Sequence, residues 1–118
     1  KMIDLQNHTV ASDGELTPEE LVDLAIKMNL SAIAITDHDS TASVKPATEY
    51  SKGKKIDIIA GVELSCDDPL FKYDKIDVLG LFIETGNKKL VRMLEHIKNK
   101  REENKRDIIK KIIQFQDL

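Results

Sequence analysis

The chain has 118 residues, 33% of them charged and 41% hydrophobic, with a formal net charge of −3. That length holds one domain or a piece of one and falls short of a full barrel of about 250 residues. No apolar run approaches the roughly 20 residues that span a bilayer, a single cysteine (Cys66) excludes an internal disulfide and a multi-cysteine zinc site, and nothing resembles a secretory leader, so the expected compartment is the cytoplasm.

Met2 to Leu5 reads as a short buried strand. Thr17-Pro18-Glu19-Glu20 then predicts a helix start, with Thr17 as N-cap, Pro18 at the first helical position and Glu20 completing a capping box. Leu21, Leu24, Ala25 and Met28 follow at the spacing of one buried helix face. The continuous apolar run Ala32 to Thr36 suits a parallel strand covered on both faces. Thr41 to Lys52 predicts a helix that Pro46 delays or interrupts. Ile56 to Val62 and Ile76 to Phe82 read as two further strands, so the order β-α-β-α-β-β suggests a mainly parallel sheet of an α/β fold. From Lys88 to about Phe115 the pattern is helical. Its apolar stripe lapses between Lys98 and Asp107, which fits one helix that changes packing surface or two helices broken near Asn99 or Asn104.

Charge divides along the chain. Residues 1–87 carry 16 acidic and 8 basic side chains, whereas residues 88–111 carry 10 basic and 4 acidic. An acidic portion is what a group of cation ligands produces, and a basic helix suits anionic substrates or an ordinary solvated face.

Histidine is scarce, and two of the three, His8 and His38, follow predicted strands in acidic company. Parallel strands bring their carboxyl ends to one edge, so His8, Asp13, His38 and Glu63 are expected to converge there from strand-exit loops. Imidazole suits zinc, iron and manganese, and carboxylate suits manganese and magnesium; the mixture points to a hydrolytic metal centre. Other readings of single residues stand beside this one. Asp13-Gly14 is a common turn pair, Asp39 is a candidate helix N-cap, and Asp37 or Asp39 is a candidate for orienting the His38 imidazole.

Four motifs carry a resemblance: Asp4-Leu5-Gln6-Asn7-His8-Thr9, Ser12-Asp13-Gly14, Thr36-Asp37-His38-Asp39 and Gly61-Val62-Glu63. In order and spacing they are similar to the opening of the PHP (polymerase and histidinol phosphatase) family of metal-dependent phosphoesterases, which reads Asp-Leu-His-x-His-Thr, Ser-Asp-Gly, Thr-Asp-His-Asp and Gly-x-Glu. Ile76-Asp77-Val78-Leu79-Gly80 resembles a later strand of that family, and the charged helix from Lys88 resembles an insert over its site. The resemblance implies part of a distorted (β/α)7 barrel, with residues 1–87 as its N-terminal part and 88–118 as a helical insert or lid. It implies metal ligands at His8, Asp13, His38, Glu63 and Asp77, with Gln6 at a sixth position, and phosphate contacts from Arg101 and Arg106. A complete site of this kind holds two or three divalent ions (Mn2+, Zn2+ or Fe2+), and a hydroxide they activate attacks phosphorus in line on a phosphorylated small molecule or oligonucleotide.

Three departures qualify this. Gln6 stands where the family has histidine and offers a neutral amide in place of imidazole. Asp77 replaces another histidine and favours harder ions. The family's C-terminal Asp-x-His and further His have no counterpart before Leu118, so a missing C-terminal half or a second copy is expected to complete the site. Two alternatives follow: a catalytically impaired module that binds a partner or nucleotide without turnover, and a nucleic-acid-binding protein using Lys88–Lys111, where no aromatic residue is present to stack bases.

Overall fold

A computed structural model describes residues 1–68, 70 and 73–116 and divides the chain into two compact units, residues 1–85 and 86–118. The first holds four strands and two helices: β1 (Met2–Asp4), α1 (Pro18–Lys27), β2 (Leu30–Ile35), α2 (Val44–Ser51), β3 (Asp57–Asp68) and β4 (Tyr73–Leu81). The strands form one sheet in the order β1-β2-β3-β4, with β1–β2 and β2–β3 parallel and β3–β4 antiparallel. This is an α/β fold with a mixed sheet.

Local chemistry sets each boundary. Thr17 caps α1 by accepting from the Glu20 backbone N–H at 3.2 Å, and the Glu20 carboxylate accepts from the Thr17 N–H at 3.0 Å, so the expected capping box is present. Helix α2 begins at Val44 behind Ser43, which leaves Pro46 in its first turn, where a missing N–H costs little. Asp39 is therefore not the N-cap; it lies four positions before Ser43, and it adopts a left-handed φ of 50° that a helix cap does not use.

The core lies between the sheet and the two helices. Ile33 and Ile35, two residues apart on one face of β2, pack with Leu21, Val22 and Ala25 of α1, Val44 and Ala47 of α2, and Ile56. Ala34 on the opposite face is also fully buried, so this part of β2 is covered on both sides as its apolar run suggests.

Two expectations of burial are corrected. Strand β1 is exposed, with Met2 at 67%, and on α1 only part of the predicted stripe is covered: Leu24 and Met28 are 43% and 64% exposed. Met2, Ile3, Leu24 and Met28 border one cleft of about 370 Å³ beside β1. Strand β1 pairs only with β2 among the described residues, so the flank beyond it has nothing to bury these side chains.

Strand β3 also exceeds its predicted length, for a reason that matters to the site. Residues 57–60 pair with β2, and from Gly61 the same strand continues as a ribbon with β4. A Cβ at Gly61 would lie 2.8 Å from Thr36 Cγ2 and 3.0 Å from the carbonyls of Ile35 and Gly80, so only glycine lets the strand pass between its old partner and its new one.

The second unit is a single helix, α3 (Lys88–Gln116), unbroken at Asn99 and Asn104. Asn87 caps it, its side-chain oxygen accepting from the Lys89 and Leu90 N–H groups at 3.0 and 3.2 Å. Among the described residues no helix is long and apolar enough to cross a membrane.

Candidate metal centre

The ends of β1 and β2 and the middle of β3 deliver the polar side chains. Past β1, Asn7 continues the pairing: Thr36 N–H donates to its carbonyl at 2.8 Å, and its own N–H donates to Thr36 Oγ1 at 3.1 Å. His8 is thereby set beside the end of β2. Past β2, the Glu63 N–H donates to Asp37 O at 3.1 Å and Asp39 N–H donates to Glu63 O at 2.9 Å, which aligns His38 with Glu63 in parallel register. Glu63 is not in a strand-exit loop, as the sequence suggests, but inside β3; it stands just beyond the stretch that pairs with β2, and so still reaches the carboxyl edge.

His8, His38 and Glu63 each place one donor atom within 4.8 Å of the others. The imidazoles meet edge to face with centroids 4.6 Å apart. His8 Nδ1 lies 2.5 Å from Asp13 Oδ1, and His38 Nε2 lies 3.4 Å from Asp13 Oδ2 and 3.7 Å from Glu63 Oε2. Four of the predicted ligands thus converge. His8 Nε2 and Glu63 Oε2 approach to 2.6 Å, yet without hydrogen-bond alignment, and both atoms are buried with no hydrogen-bond partner. A buried imidazole nitrogen and a carboxylate oxygen left over in this way form a donor set that fits a divalent cation.

Electrostatics in the metal-free cluster follow from these contacts. Burial draws the His8 imidazole down, but the hydrogen bond and charge of Asp13 and the charge of Glu63 outweigh it and leave the pKa raised. The hydrogen bond from His8 lowers Asp13; desolvation opposes this, and the charges of both imidazoles add to the lowering.

Asp37 has a different job from the expected one. It is fully buried, and its oxygens accept from the Thr9 N–H at 2.6 Å, Thr9 Oγ1 at 2.8 Å and Ser12 Oγ at 2.7 Å. It ties down the loop between His8 and Asp13, and Thr9 Oγ1 extends the network to Ser43 Oγ at 2.7 Å. Gly14 closes that loop: a Cβ there would sit 2.5 Å from the His8 carbonyl oxygen. The role of Asp13-Gly14 as a turn and the role of Asp13 as a partner of the histidines therefore coexist. At His38 it is Ser65 Oγ that approaches Nδ1, at 3.4 Å, while Asp39 accepts from the Ser65 N–H at 3.2 Å. Thr9, Ser12, Ser43 and Ser65 escaped the sequence reading. Thr9 and Ser12 stand inside the quoted motifs without an assigned role, and the only signal of Ser43 and Ser65 was a hydroxyl near the donor residues.

The remaining predicted residues lie outside the cluster. Asp77 is exposed and pairs with Ser65 in the β3–β4 ladder, which puts it on the face of Glu63 but about 7 Å further along the ribbon. Gln6 is exposed and its Nε2 reaches Glu63 Oε1 at 3.5 Å. Arg101 and Arg106 belong to α3, in the other unit.

Comparison with known proteins accounts for this arrangement. The PHP domain model matches residues 4–116. The chain belongs to the PHP domain family. Its relatives in that family include the 5'-3' exoribonuclease Rnm of Escherichia coli strain K12, 45% identical over 83 residues that cover 69% of this chain and 27% of that protein. A 3',5'-nucleoside bisphosphate phosphatase of Chromobacterium violaceum is 32% identical over 106 residues, covering 90% of this chain and 36% of the other. An amidohydrolase structure from C. violaceum, solved with sulfate and no metal, superposes with a TM-score of 0.80 at 32% identity, over 89% of this chain and 36% of that one. The chain spans about a third of the length of the relatives it matches.

Proposed function

We propose that the protein is a hydrolase of phosphate esters of the nucleotide or oligonucleotide class, dependent on divalent metal, with a cation held by His8, His38 and Glu63 and Asp13 beside them. The single observation that carries this is the pair of buried atoms His8 Nε2 and Glu63 Oε2, 2.6 Å apart and without a hydrogen-bond partner, with His38 Nε2 3.7 Å from the latter. The relatives' activities, RNA cleavage from the 5' end and phosphate removal from nucleoside bisphosphates, support the substrate class.

A bound cation supplies Lewis acidity and makes a water nucleophilic near neutral pH; manganese, zinc and iron all suit the mixed imidazole and carboxylate donors. The chain's own residues prepare the site. Asp13 accepts at His8 Nδ1 and so keeps that proton away from Nε2, leaving the Nε2 lone pair for the ion. Asp37 holds the loop that carries both residues. Asp77, on the face of Glu63, is proposed as a further ligand for a hard ion, and Arg101 and Arg106 as phosphate contacts on guanidinium chemistry alone. We assign residues 1–87 to the barrel and 88–118 to a helical insert. Because the relatives are about three times as long as the matched stretch, we propose that remaining ligands come from a C-terminal half or a second copy. With its single cysteine, the protein is assigned to the cytoplasm.

Elemental analysis after reconstitution with manganese or zinc tests the centre. Near-stoichiometric metal in the wild type, with most of it lost in His38→Ala and Glu63→Ala, is the expected result, alongside manganese-dependent release of phosphate from nucleotides. Absence of metal after reconstitution would sink the reading.

A further inference from the structure

We infer that Gln6 is a positioning residue that reserves one oxygen of Glu63 for a hydrogen bond and so restricts His8, His38 and Glu63 to a single ion. This rests on the metal-dependent reading above. A carboxylate only accepts, so the Gln6 side chain must turn its NH2 group, and not its carbonyl, toward Glu63 Oε1, 3.5 Å away. The residue is held in place from its backbone, whose N–H donates to Asp4 Oδ1 at 3.1 Å. The two oxygens of Glu63 are thereby given different tasks. Oε1 faces the positive end of an amide dipole, while Oε2 alone faces both imidazoles, at 2.6 Å from His8 Nε2 and 3.7 Å from His38 Nε2.

A second cation beside Glu63 would have to occupy the side where the amide hydrogens point. Those hydrogens repel it, and the Gln6 carbonyl is turned away and cannot serve as its ligand without breaking the hydrogen bond. An imidazole at position 6 would instead present a ring nitrogen with a lone pair. Asp13, the other carboxylate in contact with the histidines, meets His8 at Nδ1 and His38 at Nε2, whereas Gln6 acts on Glu63 Oε1.

The test is a manganese titration of the 118-residue chain followed by equilibrium dialysis and electron paramagnetic resonance, with Mn2+ alone as the probe. The wild type is expected to bind one ion with the spectrum of an isolated Mn2+. Gln6→His is expected to take up a second ion and to show the broadening of a spin-coupled pair. Gln6→Leu keeps one ion and binds it about 10-fold more weakly, the usual cost of losing a group that orients a ligand. Two ions in the wild type, a single ion in Gln6→His, or unchanged affinity in Gln6→Leu would each overturn the role of Gln6 and leave the metal centre standing. No binding in the wild type or in Gln6→His would overturn the metal reading, and this inference with it.

Discussion

Helices α1 and α3 both carry apolar residues at helical spacing, and the chain treats them in opposite ways. On α1, Leu21, Val22 and Ala25 are buried against β2 and α2, whereas α3 has no buried residue and Ile108, Ile109, Ile112 and Ile113 are all more than half exposed. Spacing specifies that a helix forms and which side is apolar, but burial belongs to the surface that receives it. Helix α3 has local support of its own in the Asn87 cap. The same contrast recurs along the predicted stripe of α1, where Leu21 and Ala25 are buried while Leu24, and Met28 just past the helix end, are exposed.

The sharpest way to break this comparison is to truncate an isoleucine in each region. Ile33→Ala removes a side chain that is 1% exposed among well-packed neighbours and is expected to cost about 2–5 kcal/mol in urea unfolding. Ile112→Ala removes the same atoms from a 52% exposed site and is expected to stay within about 0.5 kcal/mol. Equal losses would mean that α3 has a covered face in solution.

What the sequence disclosed follows the same line. Caps, strands and the convergence of His8, Asp13, His38 and Glu63 were legible because each depends on local chemistry or on the rule that parallel strands end together. The antiparallel ribbon of β3 and β4 was not, since it depends on Gly61 passing between Thr36 and Gly80, residues far apart in the chain. Asp37 was misjudged because its neighbour in sequence is His38 while its partners in space are Thr9 and Ser12, some 25 or more residues away. Asp77 shares the face of Glu63, but its distance along the ribbon is set by the register with Ser65, which no spacing within either strand reveals.

Covered and uncovered carboxylates offer a second, smaller contrast. Asp37 is fully buried and accepts three hydrogen bonds, whereas the Asp13 side chain is 63% exposed. Asp37→Asn replaces one acceptor by a donor facing Thr9 or Ser12 and is expected to lower stability by about 1–3 kcal/mol. Asp13→Asn is expected to leave unfolding nearly unchanged while weakening manganese binding about 10-fold or more, because its work is to orient His8. Denaturant midpoints and metal titrations on the two variants check this, and a reversed pattern would place the organising role on Asp13.

The smallest expected effect comes from pH and concerns the metal-free chain. His8 has a raised pKa in the fold, so its stabilising contribution is complete below its ordinary value of 6.5 and disappears as pH rises through the raised value. Asp13 has a lowered pKa, so its contribution is present above 3.8 and is lost as pH falls through the lowered value. Both are in place between those limits, and melting temperature measured without metal should decline as pH rises above 6.5. His8→Ala should remove that decline. Saturating manganese should reverse it, because the ion needs Nε2 unprotonated and binds more tightly as pH rises. A metal-free chain whose stability does not fall on the alkaline side would show that His8 is not paired with Asp13 in solution, and the contrast between an oriented, covered imidazole and an exposed carboxylate would then have to be redrawn around His38.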